Sequence, residues 1–250
     1  MSASLLFRGI ADWLLARALR DGELVDTVAE LGRRLVEGGL PICRINVGGF
    51  LLHPVLGAQD INWDADTDTC YIQTVPRSFT GTAEFRNAPF YHLASEREGF
   101  RRYRLEDAEV RARYPLYEKL AAGGVTDYLA WFESYGRSTS FERLSLPPGM
   151  EGAVASFATR RIGGFTEQEV ANLRWLSAPF ALAIKVATER SLATALLECY
   201  LDRLSGREVL MGLVERGDAR QIECALWPSD LRGSTKLAVA LHMEGYFAVI

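Results

Sequence analysis

Apolar residues recur at helical spacing near the start of the chain. Ile10 and Leu14 share one helical face, and Val28, Leu31 and Leu35 share the next. Positions three and four apart lie on one side of an α-helix, so this spacing predicts a pair of amphipathic helices within the first forty residues.

Short runs rich in β-branched and aromatic residues follow, which predicts strands. A hairpin is expected at Gly48-Gly49, because paired glycines fit a tight turn between two extended runs. The predicted strands cover residues 40–47, 50–55, 69–75, 126–132 and 152–159. With helices on both sides of this region, the pattern predicts an α+β fold with an antiparallel sheet.

A polar stretch at residues 59–69 separates two of these strands and contains Asp60, Asp64, Asp66 and Asp68. It lacks the glycine and the terminal glutamate of an EF-hand calcium loop. We therefore expect a solvated loop.

The best-marked helix starts at Thr166, which forms a capping-box pattern with Glu169. An apolar stripe then continues to Ser205-Gly206, and Pro179 must kink or interrupt it. The periodicity fits a long connector helix and two successive core helices equally well.

Composition is that of a globular protein, with 48% apolar and 24% charged residues and a net charge of −4. The chain has no overall excess of basic residues that would indicate nucleic-acid binding, and no apolar run has the length of a membrane span. The four cysteines are scattered, and we expect them to be small buried side chains in a reducing cytosol. The sequence therefore predicts a cytoplasmic protein.

Several stretches resemble the GAF-like regulatory region that precedes the catalytic domain of class III nucleotidyl cyclases. They are residues 39–44, 52–54, 115–116, 124–128 and 156–166. The resemblance implies a central antiparallel sheet flanked by an N-terminal helix pair and a long C-terminal connector helix. It also implies a small-molecule effector and a homodimer.

Residues 206–218, a strand expected at 222–227 and the turn Ser229-Asp230-Leu231-Arg232-Gly233-Ser234-Thr235 resemble the entry into the cyclase catalytic domain. In this family, two divalent cations assist attack of the ribose 3′-hydroxyl on the α-phosphate, and carboxylates hold them. The resemblance implies that Asp230 and the Leu231 carbonyl bind Mg or Mn ions. It implies phosphate binding by Gly233, Ser234 and Thr235.

The chain departs from the family at Ser234, where a phenylalanine is usual, and only fifteen residues follow Thr235. The second metal-binding aspartate and the transition-state residues would lie beyond Ile250. One carboxylate cannot assemble a two-metal site, so we expect no cyclic nucleotide synthesis by this chain alone and no certain cofactor for it.

The expected organisation is a GAF-like sensor at residues 1–190, a connector at 191–218 and an incomplete cyclase catalytic domain at 219–250. Nucleoside triphosphate would be a partner only of a completed catalytic domain. The candidate residues for a pocket or lid are aromatic: Trp63, Tyr71, Phe85, Phe90, Tyr128 and Phe132.

Two other functions remain open. The first is a free-standing GAF-like module that binds a small molecule and dimerises. The second is a small-molecule enzyme that uses His53 or His92, although no P-loop, nucleotide-binding glycine pattern or catalytic triad spacing accompanies them.

Overall fold

A computed structural model of the chain describes residues 3–20, 22–50, 56–76, 78, 82–96, 98–136, 152–201, 203–213, 215, 223, 225–230, 232–241 and 245. The helices are α1 (Ala3–Ala18), α2 (Leu24–Glu37), α3 (Ala83–Arg86), α4 (Pro89–Ser95), α5 (Ala108–Arg111), α6 (Pro115–Ala122), α7 (Glu167–Trp175), α8 (Ser177–Leu201), α9 (Arg203–Leu210) and α10 (Ser234–Ala240). The strands are β1 (Arg44–Phe50), β2 (Leu56–Asp64), β3 (Thr69–Pro76), β4 (Phe100–Arg104), β5 (Asp127–Ser134) and β6 (Gly152–Thr159).

The six strands form one antiparallel sheet in the order β3-β2-β1-β6-β5-β4. This confirms the predicted α+β class and the antiparallel sheet. The hairpin expected at Gly48-Gly49 is wrong, because β1 continues through both glycines to Phe50. Both neighbouring strands hold β1 extended there, since Gly48 pairs with Asp60 on one side and Val154 on the other.

The solvated loop expected at residues 59–69 is also wrong over its first half. Residues 59–64 belong to β2, whose register with β1 extends from Ala58 to Asp64. The turn itself is confined to residues 65–68. Polar composition does not prevent strand formation here, because the neighbouring strands satisfy the backbone hydrogen bonds on both sides.

One face of the sheet, which we call the helical face, packs against α1, α2 and α8. Ile45, Trp63, Trp131 and Phe157 lie fully buried in this layer. Gly32 of α2 permits the close packing, because a Cβ there would lie 2.5 Å from the Trp63 ring. The predicted helix pair is therefore confirmed, with its apolar stripe on the sheet.

The apolar stripe after Thr166 divides into three helices. The predicted capping box between Thr166 and Glu169 is present, and α7 ends at Trp175 with Leu176 as its C-cap. Pro179 lies in the first turn of α8, where its missing N–H leaves no hydrogen bond unmade. After α8 the chain folds back, since a Cβ on Gly206 would lie 2.8 Å from the Leu197 carbonyl carbon.

The chain divides into two compact units, Met1–Met211 and Gly212–Ile250. Among the described residues of the second unit, the regular element is the short helix α10. No helix in the described part of the chain has the length and apolar character needed to cross a bilayer.

A buried carboxylate joins the sheet to the entry of α7. Asp127 on β5 is fully buried and accepts hydrogen bonds from the Arg102 guanidinium, the shortest at 2.7 Å, and from the Phe165 backbone N–H at 2.9 Å. Arg102 also binds the Phe165 carbonyl. Gly164, at a φ of 73°, leaves room for the carboxylate, because a Cβ there would overlap Asp127 Oδ2.

We expect Asp127→Ala to lower the free energy of unfolding by about 3 kcal/mol, because it leaves the mostly buried Arg102 without its main counter-charge. Urea denaturation followed by circular dichroism measures this. Glu167→Ala is the control: Glu167 binds the same guanidinium at 2.6 Å but is 85% exposed, so its loss should cost less than about 1 kcal/mol. Equal losses for both variants would contradict the role given to burial.

Candidate functional site

Polar side chains gather on the sheet face opposite the helical face. Alternation along a strand places residues two apart on one face, and the pairing of Asn46 with both Asn62 and Ser156 brings three strands together. The resulting group comprises Arg44 and Asn46 on β1, Asp60 and Asn62 on β2, and Ser156 on β6. We call these five residues the Asn46 cluster.

Hydrogen bonds fix the centre of the Asn46 cluster. The Asn62 side-chain carbonyl accepts from the Asn46 amide at 3.0 Å and from the Arg44 guanidinium. Asn46, Asn62 and Ser156 are all buried, whereas Arg44 and Asp60 are only partly buried. These last two are therefore the members that a solute can reach.

Gly48 makes room for the Asp60 carboxyl group. A Cβ at Gly48 would lie 2.7 Å from Asp60 Oδ1 and 2.9 Å from Val154 Cγ2. Burial raises the pKa of Asp60 above its ordinary value, and the Arg44 guanidinium and the Asn46 amide only partly oppose this effect. The carboxylate is thus held where its charge costs free energy, which is common at functional sites.

Tyr128 on β5 borders the Asn46 cluster and belongs to a group of tyrosine rings. Its ring centroid lies 5.5 Å from that of Tyr117 and 6.3 Å from that of Tyr103. Burial raises the pKa of Tyr128 to about 12, opposed by the Arg44 guanidinium and the nearby Ser156 hydroxyl. The buried Tyr128 hydroxyl makes no hydrogen bond of ordinary geometry with a described residue.

An unsatisfied buried hydroxyl is uncommon because it costs about 1–3 kcal/mol. A bound molecule that donates or accepts a hydrogen bond there would recover this cost. The Asn46 cluster offers donors from Arg44 and the amides, and acceptors from Asp60 and the amide carbonyls. Its one cation and one anion balance, so it suits a ligand with both donors and acceptors better than a multiply charged one.

The six aromatic residues predicted for a pocket or lid are distributed over several places. Tyr128 and Phe132 are buried beside the Asn46 cluster, and Phe90 of α4 packs against the same layer. Phe85 of α3 makes an edge contact with Tyr91 at 5.5 Å.

The other two aromatic candidates lie apart from that layer. Trp63 lies on the helical face, where its Nε1 donates to Asp68 at 3.0 Å. Tyr71 is exposed on the edge strand β3, outside the buried aromatic layer, but it pairs with Asn62 and so lies on the same sheet face as the Asn46 cluster. The structure therefore brings Phe90, Tyr128 and Phe132 together and separates Trp63 from them.

The cyclase-like motif lies in the second unit. Asp230 is exposed, and Leu231 lies outside the described residues. Gly233, at φ 78°, precedes the first turn of α10, which contains Ser234 and Thr235. The strand expected at 222–227 is not formed by its described residues, 223 and 225–227, and Leu226 and Trp227 are each 89% exposed.

Asp230 does not lie in a metal site of the described residues. Within the described ranges, no three His, Cys, Asp or Glu side chains gather closely enough to hold a cation. A Mg or Mn pair needs two bridging carboxylates and several further oxygen ligands. The metal-binding role that the resemblance implies for Asp230 stays a prediction, since Leu231 lies outside the described residues.

In the described parts of the chain, the histidines and cysteines form no group of three with one another or with acidic side chains. The His92 ring of α4 packs near Tyr91 and Tyr114, whereas His53 lies outside the described residues. Burial raises the pKa of the Cys43 thiol to about 11, as expected for a small core side chain. The expectation of burial is wrong for Cys199, which is exposed on α8.

Surface hollows occur elsewhere. One of about 610 Å³ lies between α5 and α6 and is lined by Arg111, Glu118 and Gly124 among others. Another of about 380 Å³ lies between α1 and α2. Neither contains an aromatic residue predicted for the pocket.

Sequence reasoning missed the Asn46 cluster, although a signal for it was present. Asn46 and Gly48 alternate with apolar Ile45 and Val47, and Asp60 and Asn62 alternate with Ile61. Two neighbouring strands that each carry polar residues at every second position predict one polar sheet face.

Comparison with protein-family models and with curated proteins gives no match for this chain.

We expect Asp60→Asn to raise the free energy of unfolding at neutral pH. The folded-state pKa of Asp60 is raised, so folding is favoured below the ordinary carboxyl pKa and stability is lost as pH rises through the folded pKa. The asparagine variant removes the buried charge, and its advantage should vanish at pH 3. Thermal melting between pH 3 and pH 8 measures the effect.

Asp68→Asn is the matched control, and its expected effect on the melting temperature has the opposite sign. Hydrogen bonds from Trp63 and Arg33 lower the pKa of Asp68, so its contribution to stability exists above the ordinary carboxyl pKa and is lost on acidification. This variant should melt below the wild type at neutral pH. A melting temperature of Asp60→Asn below that of the wild type at neutral pH would contradict the raised pKa of Asp60.

Proposed function

We propose that this chain is the sensor region of an adenylate or guanylate cyclase family protein, and that a small molecule binds it at the Asn46 cluster. The sensor would occupy residues 1–190, the connector 191–218 and an incomplete catalytic domain 219–250. The observation that carries the proposal is the Asp60 carboxyl group lying over Gly48, beside buried amides and the unsatisfied Tyr128 hydroxyl.

The architecture supports a sensor. An antiparallel sheet lies against an N-terminal helix pair, and α8 leaves the same layer as the last long element of the first unit. This α+β architecture with an antiparallel sheet supports the proposal of a GAF-like region. A ligand on the opposite face would contact β1, β2 and β6, which are the central strands on which α2 and α8 pack.

The chemistry of the cluster indicates the class of ligand. A nucleobase edge presents N–H donors and carbonyl or ring-nitrogen acceptors side by side in one plane. Asp60 can accept from such donors, while the Asn amides and Arg44 can donate to the acceptors. We propose a nucleobase-containing effector on this basis.

The second candidate function is a free-standing small-molecule-binding and dimerisation module. It rests on the same ligand site in the first unit and needs no catalytic residue of the second unit. Both candidates place ligand binding in the first unit and differ in what the ligand regulates.

Thermal melting of the whole chain with adenosine, guanosine, cAMP and cGMP tests the ligand site. At least one of these probes should raise the melting temperature, since a ligand at a hundred times its dissociation constant adds about 2.7 kcal/mol of stability. Gly48→Ala should abolish the shift, because the added methyl group occupies the space in front of Asp60.

Gly99→Ala is the matched control, since its Cβ would lie at an ordinary 3.7 Å from the Phe132 carbonyl oxygen. It should keep the full ligand-induced shift. Lack of a shift with all four probes, or an equal shift in Gly48→Ala, would contradict the proposed site.

The incomplete metal site predicts no catalysis by this chain alone. Incubation with Mn and ATP or GTP should yield no cAMP or cGMP above a blank without protein, because one carboxylate cannot hold two cations. Chromatography with mass detection measures the products. Formation of cyclic nucleotide that is lost in Asp230→Ala would contradict the prediction.

A further inference from the structure

Helix α1 exposes leucines on its outer side, in addition to the apolar stripe that it buries on its core side. Phe7, Ile10 and Leu14 are buried against the sheet layer. On the other side, Leu5 is 60% exposed and Leu15 is 41% exposed. Leu19, one turn further on, is 89% exposed, and its backbone N–H still donates to the Leu15 carbonyl.

The outer stripe has the spacing of a coiled-coil seam. Alternating steps of three and four residues separate its members, which are Leu5, Arg8, Asp12, Leu15 and Leu19. This is the heptad spacing that keeps one helix face against a partner helix. Leucines occupy three of the five positions, and Arg8 and Asp12 occupy the two between Leu5 and Leu15. Exposed leucines at this spacing are residues that a partner helix would cover.

The neighbouring helix α2 shows the contrast. Its outer side carries Glu30, Arg33, Arg34 and Glu37, and Glu30 forms ion pairs with both arginines. Such a charged surface needs no protein partner. On α1, Arg8 and Asp12 are exposed and make no ion pair with a described residue.

We propose that the outer stripe of α1 pairs with the same stripe of a second copy of this chain, with the two helices antiparallel. The stripe is self-complementary in one register. Leu5 would lie opposite Leu15 of the second copy, and Arg8 opposite its Asp12, because each pair of residue numbers has the same sum. A two-fold axis level with residue 10, next to Gly9, relates the halves, and it doubles every contact.

Charge selects the antiparallel direction. A parallel pairing in register would place Arg8 against Arg8 and Asp12 against Asp12 at adjacent layers of the seam. Like charges directly opposed across an interface repel each other and weaken binding, whereas the antiparallel pairing makes two ion pairs. The lack of a side chain at Gly9, around which no atom lies within 4 Å of a virtual Cβ, lets the helices approach closely at the axis.

Helix α8 extends the proposed interface. It packs beside α1 and exposes Leu182 and Val186. Two antiparallel α1 helices flanked by two α8 helices would make a four-helix layer between the copies. This surface is separate from the Asn46 cluster, which lies on the opposite face of the sheet, so dimer formation does not depend on the proposed ligand.

Two single variants and their mixture test the pairing. Arg8→Asp makes the centre of the stripe acidic, and Asp12→Arg makes it basic. Each variant alone should have its self-association weakened roughly tenfold or more, because like charges then oppose each other in either copy. An equimolar mixture should form a one-to-one heterodimer, since acidic and basic stripes are complementary. Sedimentation velocity over a range of concentrations measures the self-association of each variant. The heterodimer is recognised in the mixture when one variant carries a fusion tag that raises its mass.

The exposed positions of Arg8 and Asp12 keep the core unchanged, and circular dichroism checks that each variant is folded. Arg8→Glu replaces Arg8→Asp if the latter melts early. The double variant Arg8→Asp/Asp12→Arg should dimerise like the wild type, because exchanging the two charges preserves the antiparallel pairing. A monomeric wild type, unchanged dimers in both single variants, or a mixture that stays monomeric would each overturn the proposal.

Discussion

The fold depends on one buried carboxylate, Asp127, at the point where the sheet meets the last helices. Asp127 begins β5, and its hydrogen bonds with Arg102 of β4 and the Phe165 backbone fix the loop that leads into α7. That loop determines where α7 and α8 start, and α8 supplies Phe180 and Ile184 to the helical-face core. A charged group in this position requires a counter-charge and full hydrogen bonding, and the surrounding residues provide both.

Strand β5 connects the two faces of the sheet through Asp127 and its neighbour Tyr128. Asp127 and Tyr128 are consecutive, so their side chains point to opposite faces. Tyr128 borders the Asn46 cluster, while Asp127 holds the start of α7. A ligand that engages the Tyr128 hydroxyl would act on the strand that anchors the exit helices. Because α8 packs against α1, the outer stripe of α1 lies one layer further along the same path.

The sequence correctly predicted those helices that carry a local signal, such as a capping box or a helical spacing of apolar residues. The capping box at Thr166 and Glu169 predicted the start of α7, and the helical spacing of apolar residues predicted α1 and α2. The hairpin at Gly48-Gly49 failed because a glycine pair also serves a strand that must pass close to a neighbouring side chain. Asp60 and Asp68 look alike in an aspartate-rich stretch, but the fold buries the first over Gly48 and places the second in a turn against Trp63. Only tertiary neighbours distinguish them.

The same limit applies to the candidate site. Aromatic residues were expected to line a pocket, and Tyr128 and Phe132 do lie beside the polar cluster. Trp63 lies on the other face because Gly32 of α2 leaves space for its ring there. The face that a strand residue occupies follows from alternation, but which face is the core follows from the helices that cover it.

Side-chain amide NMR tests the central claim most directly. The chain has four asparagines, Asn46, Asn62, Asn87 and Asn172, so labelling asparagine with ¹⁵N gives four assignable amide pairs. Addition of the nucleoside or cyclic nucleotide that stabilises the protein should shift the signals of Asn46 and Asn62 and leave those of Asn87 and Asn172 in place. Shifts confined to Asn87 or Asn172, or no shift at any of the four, would contradict a ligand site at the Asn46 cluster.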